Sequence, residues 1–382
     1  MPLFDYERES ISHIDKNEVL PDMYSTNTSE YFIDFEQSMD QLGRLEEMGL
    51  FMEYFIAPTF LIWEITSNCP LRCSFCSGDF PNENGDELTS EEKISLAQEL
   101  IDAKIWGINL SGGEPLLSQD LLTLVNMFSD NGVAVNIVTS GWGMTKEIAK
   151  VLSEKNMVGV VFSLDAPREE IHDELRGRKG AFKEALNAIH LLREAGMAYI
   201  SVESVITQKN IDYIDEMVEF CRDNGISQIR FQPVVLIGRG NERNDLGLSK
   251  EQLELLAAKV KDIRNVIFTE IINNVDKPKI QVNLIDQSTH IIYGIKTGRN
   301  IGGIIKYDGT LKISAYLHYT FGNIRNSNGF MNIWRNGYNV GWRHPELIST
   351  LSSVRNIKDI ELAAKNMNYK AKSLDVQIVK PK

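Results

Sequence analysis

The chain predicts an α/β fold in which six strand–helix units roll into an open barrel. Apolar runs of strand length alternate with amphipathic stretches of helix length between Phe60 and Val235. Strands this apolar cannot face water, so they belong to a parallel sheet covered by helices, and right-handed crossovers roll successive units the same way. The polar and glycine-rich turns fall at the C-terminal ends of the strands, the rim that carries the active site in barrels of this kind.

The elements follow in order. Phe60–Thr66 is an apolar strand that stops just before a cysteine-rich loop. The span 90–104 is a helix with Ile94, Ala97, Leu100 and Ile101 on one face. Ile108–Ser111 is a strand leading into Gly112-Gly113-Glu114-Pro115. A helix over 119–129 precedes the strand Ala134–Thr139, which ends at Ser140-Gly141. A helix over 145–155 precedes a strand over 159–164, which ends at Asp165. The helix over 182–195 is closed by Gly196, as helix C-termini prefer. Strand Ile200–Ile206, a helix over 211–223 and a strand over 228–235 complete the sixth unit.

Composition narrows the functional classes. The sequence has 382 residues, 43% of them apolar, enough for a large barrel-sized domain with appendages or for two domains. No apolar run approaches the roughly 20 residues that cross a bilayer. The N-terminus is acidic where a secretory signal would be basic, and the cysteine spacing does not read as a disulfide framework. These features point to the cytoplasm. The net charge is −13, and residues 1–57 hold thirteen Asp and Glu against Arg8, Lys16 and Arg44. With no basic stripe to neutralise phosphates, nucleic acid is not an expected partner, and neither is a membrane. The acidic segment includes a helix-like pattern from Phe35 to Met48 and is expected to pack on the main body, with a leader-recognition element as the other reading.

The chemistry concentrates in Asn68-Cys69-Pro70-Leu71-Arg72-Cys73-Ser74-Phe75-Cys76, which holds three of the four cysteines. Three thiolates on one short loop suit a soft metal or an iron–sulfur centre and leave one coordination position open for chemistry. A zinc loop that borrows a distant ligand, or three reduced core cysteines, are the other readings. No second Cys/His pair stands ready to complete a zinc site.

The C-x3-C-x2-C pattern with an aromatic before the last cysteine resembles the radical S-adenosylmethionine (SAM) family. The resemblance covers roughly residues 58–240 and implies a partial (β/α)6 TIM-like barrel. It implies that Cys69, Cys73 and Cys76 hold one [4Fe–4S] cluster, with SAM on the fourth iron. SAM is then cleaved reductively to a 5′-deoxyadenosyl radical that abstracts a substrate hydrogen. Phe75 is expected beside the adenine. Gly112, Gly113 and Glu114 match the family's second motif, which receives the methionine ammonium; glycine lets backbone approach a ligand closely. Ser140, Ser163 and Asp165 stand at positions that bind the ribose or the methionine carboxylate, and Arg176 at one that pairs with that carboxylate. Gln232-Pro233 and the turn Gly238-Arg239-Gly240 are expected near the adenine site. Cys221, on an amphipathic helix, is expected to pack as a small buried hydrophobe.

Residues 301–313 read as a hairpin around Asp308-Gly309. With Gly322-Asn323-Ile324 and Ile333-Trp334 they resemble the SPASM/twitch extension of the same family, giving a small α+β region over 241–382. That extension uses cysteines for auxiliary clusters, but Ser314, Ile295 and Gly303 occupy the corresponding regions here, and no cysteine follows Cys221. The region is expected to serve substrate binding without a second cluster, which favours redox-neutral outcomes such as epimerisation or rearrangement. Helix 250–264 and strands over 279–284 and 374–379 are also expected. The resemblance implies a ribosomally made peptide as substrate, with a small molecule (a sugar, aminoglycoside or tetrapyrrole-type precursor) or a non-catalytic Fe–S protein as alternatives. Flavodoxin or ferredoxin is the implied electron donor.

Overall fold

A computed structural model describes residues 54–78, 80, 86–155, 157–197, 199–367 and 372–375. The helix-like pattern at Phe35–Met48 lies outside these residues. Strand and helix alternate as β1 (Phe60–Thr66), α1 (Ser90–Asp102), β2 (Gly107–Gly112), α2 (Leu121–Asp130), β3 (Ala134–Thr139), α3 (Lys146–Ser153) and β4 (Val158–Ser163). Two helices follow, α4 (Glu169–Arg176) and α5 (Ala181–Glu194). The chain continues with β5 (Ile200–Ile206), α6 (Ile214–Asp223), β6 (Gln228–Pro233) and α7 (Lys250–Ile272). β7 (Gln281–Leu284), α8 (Ser288–Thr297) and β8 (Gly302–Ile305) come next. The chain ends with β9 (Thr310–Lys312), β10 (Tyr319–Asn323), α9 (Phe330–Arg335), α10 (Pro345–Leu351), α11 (Ile357–Asn366) and β11 (Lys372–Ser373).

All these strands form one sheet, ordered β11-β10-β9-β8-β1-β2-β3-β4-β5-β6-β7. From β8 to β7 every pairing is parallel. The sequence supplies the six central strands, and the C-terminal region adds one parallel strand at each edge. β7 and β8 are joined by α8 but are not neighbours in the sheet. Five strand spacings separate β1 from β6, about 24 Å in a flat sheet. Yet the Arg239 side chain, just after β6, hydrogen-bonds the Cys73 carbonyl, just after β1, at 2.9 Å. The sheet is therefore rolled into a partial barrel.

The helices cover the outer face. Leu61, Trp63 and Ile65 of β1 are fully buried there, while Ile62 and Glu64 point to the interior. A capping box, Thr89 with Glu92, starts α1, and Ser249 with Gln252 does the same for α7. Two expectations need correction. α1 buries Lys93, Leu96, Ala97 and Leu100 and leaves Ile94 exposed, because Lys93 reaches inward to Asp120 at 2.9 Å and turns the helix. α7 runs on to Ile272, since Asn265–Ile272 contains neither glycine nor proline to stop it. The tail pairs at Lys372–Ser373 with β10; Leu374 and Asp375 are outside any strand, and residues 376–379 lie outside the described residues. Among the described residues no helix is long and apolar enough to cross a membrane.

Candidate active site

Beyond Thr66 the chain enters the cysteine loop, which has no regular structure and is held from three sides. Gly113 N donates to Thr66 O and Glu114 N to Asn68 O, both at 2.8 Å, tying it to the turn after β2. Arg72 N and Ser74 N donate to the carbonyls of Arg176 and Leu175, laying it along the end of α4. From the turn after β6, Arg239 N donates to Cys76 O, and its guanidinium donates to the carbonyls of Cys73 and Phe80.

Close approach explains the glycines on all three sides. A Cβ on Gly113 would stand 2.3 Å from Asn68 O, on Gly177 2.3 Å from Arg72 O, and on Gly238 2.4 Å from Cys76 O. These obstacles are main-chain oxygens, which cannot rotate aside. Gly177 closes α4 in the left-handed region, at φ 64°. The Gly112-Gly113 pair thus makes room for the cysteine loop itself.

Cys69, Cys73 and Cys76 are part-buried free thiols on this loop. Burial pushes Cys69 up to about 11, with Cys73, Glu114 and Cys76 adding to the rise. Burial also raises Cys73, against the pull of Arg176. Three thiolates so placed repel one another and need a cationic centre to hold them ionised. Among the described residues no three His, Cys, Asp or Glu groups are set to hold a single metal ion. Three thiols on one loop are a donor set that fits a [4Fe–4S] cluster.

Asp165 and Arg176 are brought together with each other. Arg176 Nη2 donates to Asp165 Oδ1 at 2.8 Å, and Nε lies 2.7 Å from Oδ2, a buried ion pair. Val205 N donates to the same carboxylate at 3.0 Å. Burial raises the Asp165 carboxyl against the pull of Arg176; burial also works against the charge on Arg176, but Asp165 and Cys73 outweigh it and raise the guanidinium, which keeps its proton. Arg176 Nη1 reaches Cys73 Sγ at 3.8 Å, and the guanidinium lies 5.3 Å from the centre of the Phe75 ring.

Glu114 is fully buried and takes four donors: Leu116 N and Thr139 Oγ1 on one oxygen, Ser140 N and Oγ on the other. Both polar groups of Ser140 are thereby occupied. Burial raises this carboxyl, and the four hydrogen bonds oppose the rise. Ser163 ends β4 beside Glu203 of β5. Cys221 is fully buried among the core residues around α6, consistent with packing.

Sequence reasoning missed the polar interior. Register places Ser163, Glu203, Arg230 and Asn283 side by side across β4 to β7. Arg230 Nη2 meets the Glu203 carboxylate at 3.2 Å, and both side chains are about a quarter exposed (28%). Gln232 Nε2 donates to Tyr316 Oη at 2.8 Å, which carries the C-terminal region onto the barrel mouth. The signal was present: Glu64, Glu203, Arg230 and Gln232 interrupt apolar strands at alternate positions, and such residues face the side without helices. In the C-terminal region, Ser314 Oγ pairs with His290 Nε2 at 2.8 Å, and the His290 ring packs against Tyr316 and Trp342. Gly303 leaves room for the Tyr338 hydroxyl, 1.9 Å from where a Cβ would stand.

Residues 63–221 match the radical SAM superfamily. The Fe-coproporphyrin III synthase of Methanosarcina barkeri is 29% identical over 295 residues, 72% of this chain and 73% of that protein. Mycofactocin maturase MftC of Mycolicibacterium smegmatis is 32% identical over 51% of this chain and 50% of its own length. The sporulation killing factor maturation protein SkfB of Bacillus subtilis is 35% identical over 47% of this chain and 43% of its own. The chain thus spans about half the length of these two maturases. Streptococcus suis SuiB bound to its precursor peptide SuiA shares the fold, with a TM-score of 0.59 at 16% identity over 92% of this chain and 78% of that one.

Proposed function

We propose, for a chain that belongs to the radical SAM superfamily through residues 63–221, an enzyme that modifies a ribosomally made peptide. The family implies one [4Fe–4S] cluster and SAM. The observation that carries the reading is the cysteine loop, locked by glycines and arginines at the C-terminal mouth of a rolled parallel sheet with a polar interior. Cys69, Cys73 and Cys76 would hold the cluster. When bound, the cluster and SAM supply a 5′-deoxyadenosyl radical for hydrogen abstraction. Phe75, the Gly112-Gly113-Glu114 turn, Ser140 and Ser163 would surround SAM. The Asp165–Arg176 pair fixes the loop from the α4 side.

The substrate would reach the polar interior of the barrel, where Glu203 meets Arg230 and Gln232 meets Tyr316. An acceptor carboxylate beside guanidinium, amide and phenol donors suits both N–H and C=O groups of a peptide backbone. The two maturases among the relatives support a peptide substrate. No cysteine follows Cys221, and Ser314 bonds to His290, which favours epimerisation or rearrangement over an oxidation that needs a second cluster. A flavodoxin or ferredoxin would deliver the electron. A tetrapyrrole-type substrate is the second reading, favoured by the match to the Fe-coproporphyrin III synthase along most of the chain.

Anaerobic reconstitution, followed by dithionite and SAM, tests the class. The expected result is 5′-deoxyadenosine by mass spectrometry that vanishes in Cys73→Ala. A loaded protein that makes none, with or without candidate peptides and porphyrins, would refute it.

A further inference from the structure

Two arginines grip the cysteine loop, and they touch different atoms. On the loop, Arg239 meets carbonyl oxygens: its amide donates to Cys76 O at 2.9 Å and its guanidinium to the carbonyls of Cys73 and Phe80. Arg176 meets a sulfur. Its Nη1 lies 3.8 Å from Cys73 Sγ, its plane lies over Phe75, and two contacts to Asp165 at 2.7 and 2.8 Å fix its orientation. Its side chain is 8% exposed and that of Asp165 0%, so water screens neither charge well.

We infer that Arg176 is a positioning and tuning residue for the cluster: it donates to the Cys73 sulfur and makes the cluster easier to reduce, with Asp165 moderating its charge. Arg239 holds the shape of the loop through its carbonyls. Reduction adds negative charge, which a nearby guanidinium and a hydrogen bond to a ligand sulfur both stabilise. This differs from the expected pairing of Arg176 with the carboxylate of SAM, since Asp165 already takes the Nε–Nη2 edge of the guanidinium and Nη1 faces Cys73 Sγ. The inference rests on the proposed cluster.

The test is an EPR-monitored redox titration of the reconstituted protein without SAM, beside iron analysis and circular dichroism. Arg176→Gln should make the cluster at least tenfold harder to reduce, a fall of about 59 mV for one electron. Asp165→Asn leaves the guanidinium charge unopposed and should shift the potential the other way. Arg239→Gln should lower the iron retained without moving the potential of what remains. Opposite signs for Arg176→Gln and Asp165→Asn support the inference, because loosened packing alone has no reason to reverse sign. If Arg176→Gln loads no iron, the sign of the Asp165→Asn shift decides.

Shifts of one sign, or no shift beside a weakened affinity of Arg176→Lys for SAM, would overturn it. Wild-type protein that holds far fewer than about four irons per chain would instead overturn the cluster reading, and this inference with it.

Discussion

Glu114→Gln replaces one carboxylate oxygen with an NH2 group in a site that supplies only donors. Leu116 N points at one oxygen at 3.1 Å and Ser140 N at the other at 2.9 Å. The Thr139 and Ser140 hydroxyls can rotate, but the two backbone N–H groups cannot. Whichever way the amide is turned, one N–H faces another donor in a fully buried site. A lost hydrogen bond to a charged group costs about 1.5–3 kcal/mol, and a stranded buried donor about 1–3 kcal/mol. Because the two costs overlap, the expected destabilisation is about 3 kcal/mol at pH 7. Urea unfolding of the iron-free protein, followed by circular dichroism, should show a lower midpoint with an unchanged slope. The turn after β2 also hydrogen-bonds the cysteine loop at Thr66 and Asn68, so iron retention should fall together with stability. A change below about 1 kcal/mol would show that the donors find other acceptors and that Glu114 does not clamp β2 to β3.

Gly113→Ala should lose more than half of the bound iron while keeping its circular dichroism, since a methyl 2.3 Å from the Asn68 carbonyl displaces the loop rather than the barrel; full iron content would refute the cradle. His290 is held down at about 4 by burial, from an ordinary 6.5. Its unfolded form takes up a proton first, so its contribution is whole above pH 6.5 and is lost as pH falls towards 4, by up to about 3 kcal/mol. His290→Gln keeps a partner for Ser314 and should flatten that part of the stability–pH curve, leaving the shares of His172, which burial holds well below its ordinary value, and of His318, which is also held near 4. An unchanged slope in stability measured from pH 7 to 4 would refute it.

What the sequence by itself determined is what repeats locally. Strand β3 and strand β5 were placed to the residue, because apolar period and flanking turns agree within each short window. The hairpin at Asp308-Gly309 was legible because turn chemistry is local. So was the cysteine loop, whose spacing is covalent. The tertiary structure alone decided what distant segments do to one another. It turned α1 inward on Lys93 through Asp120, a partner 27 residues away. It set Glu203 against Arg230 and Gln232 against Tyr316 inside the barrel. It paired Asp165 with Arg176 rather than leaving both open to a ligand. The first of these follows from packing of neighbouring helices, the last from packing within one strand–helix unit, and Glu203–Arg230 from strand register. Rolling of the sheet brings the ends of strands five places apart together, as Arg239 meets Cys73. Asp165 and Arg176 lie 11 residues apart, but Lys93 and Asp120 are 27 apart and Gln232 and Tyr316 are 84 apart, and in each case it is the fold that decides whether the side chains meet.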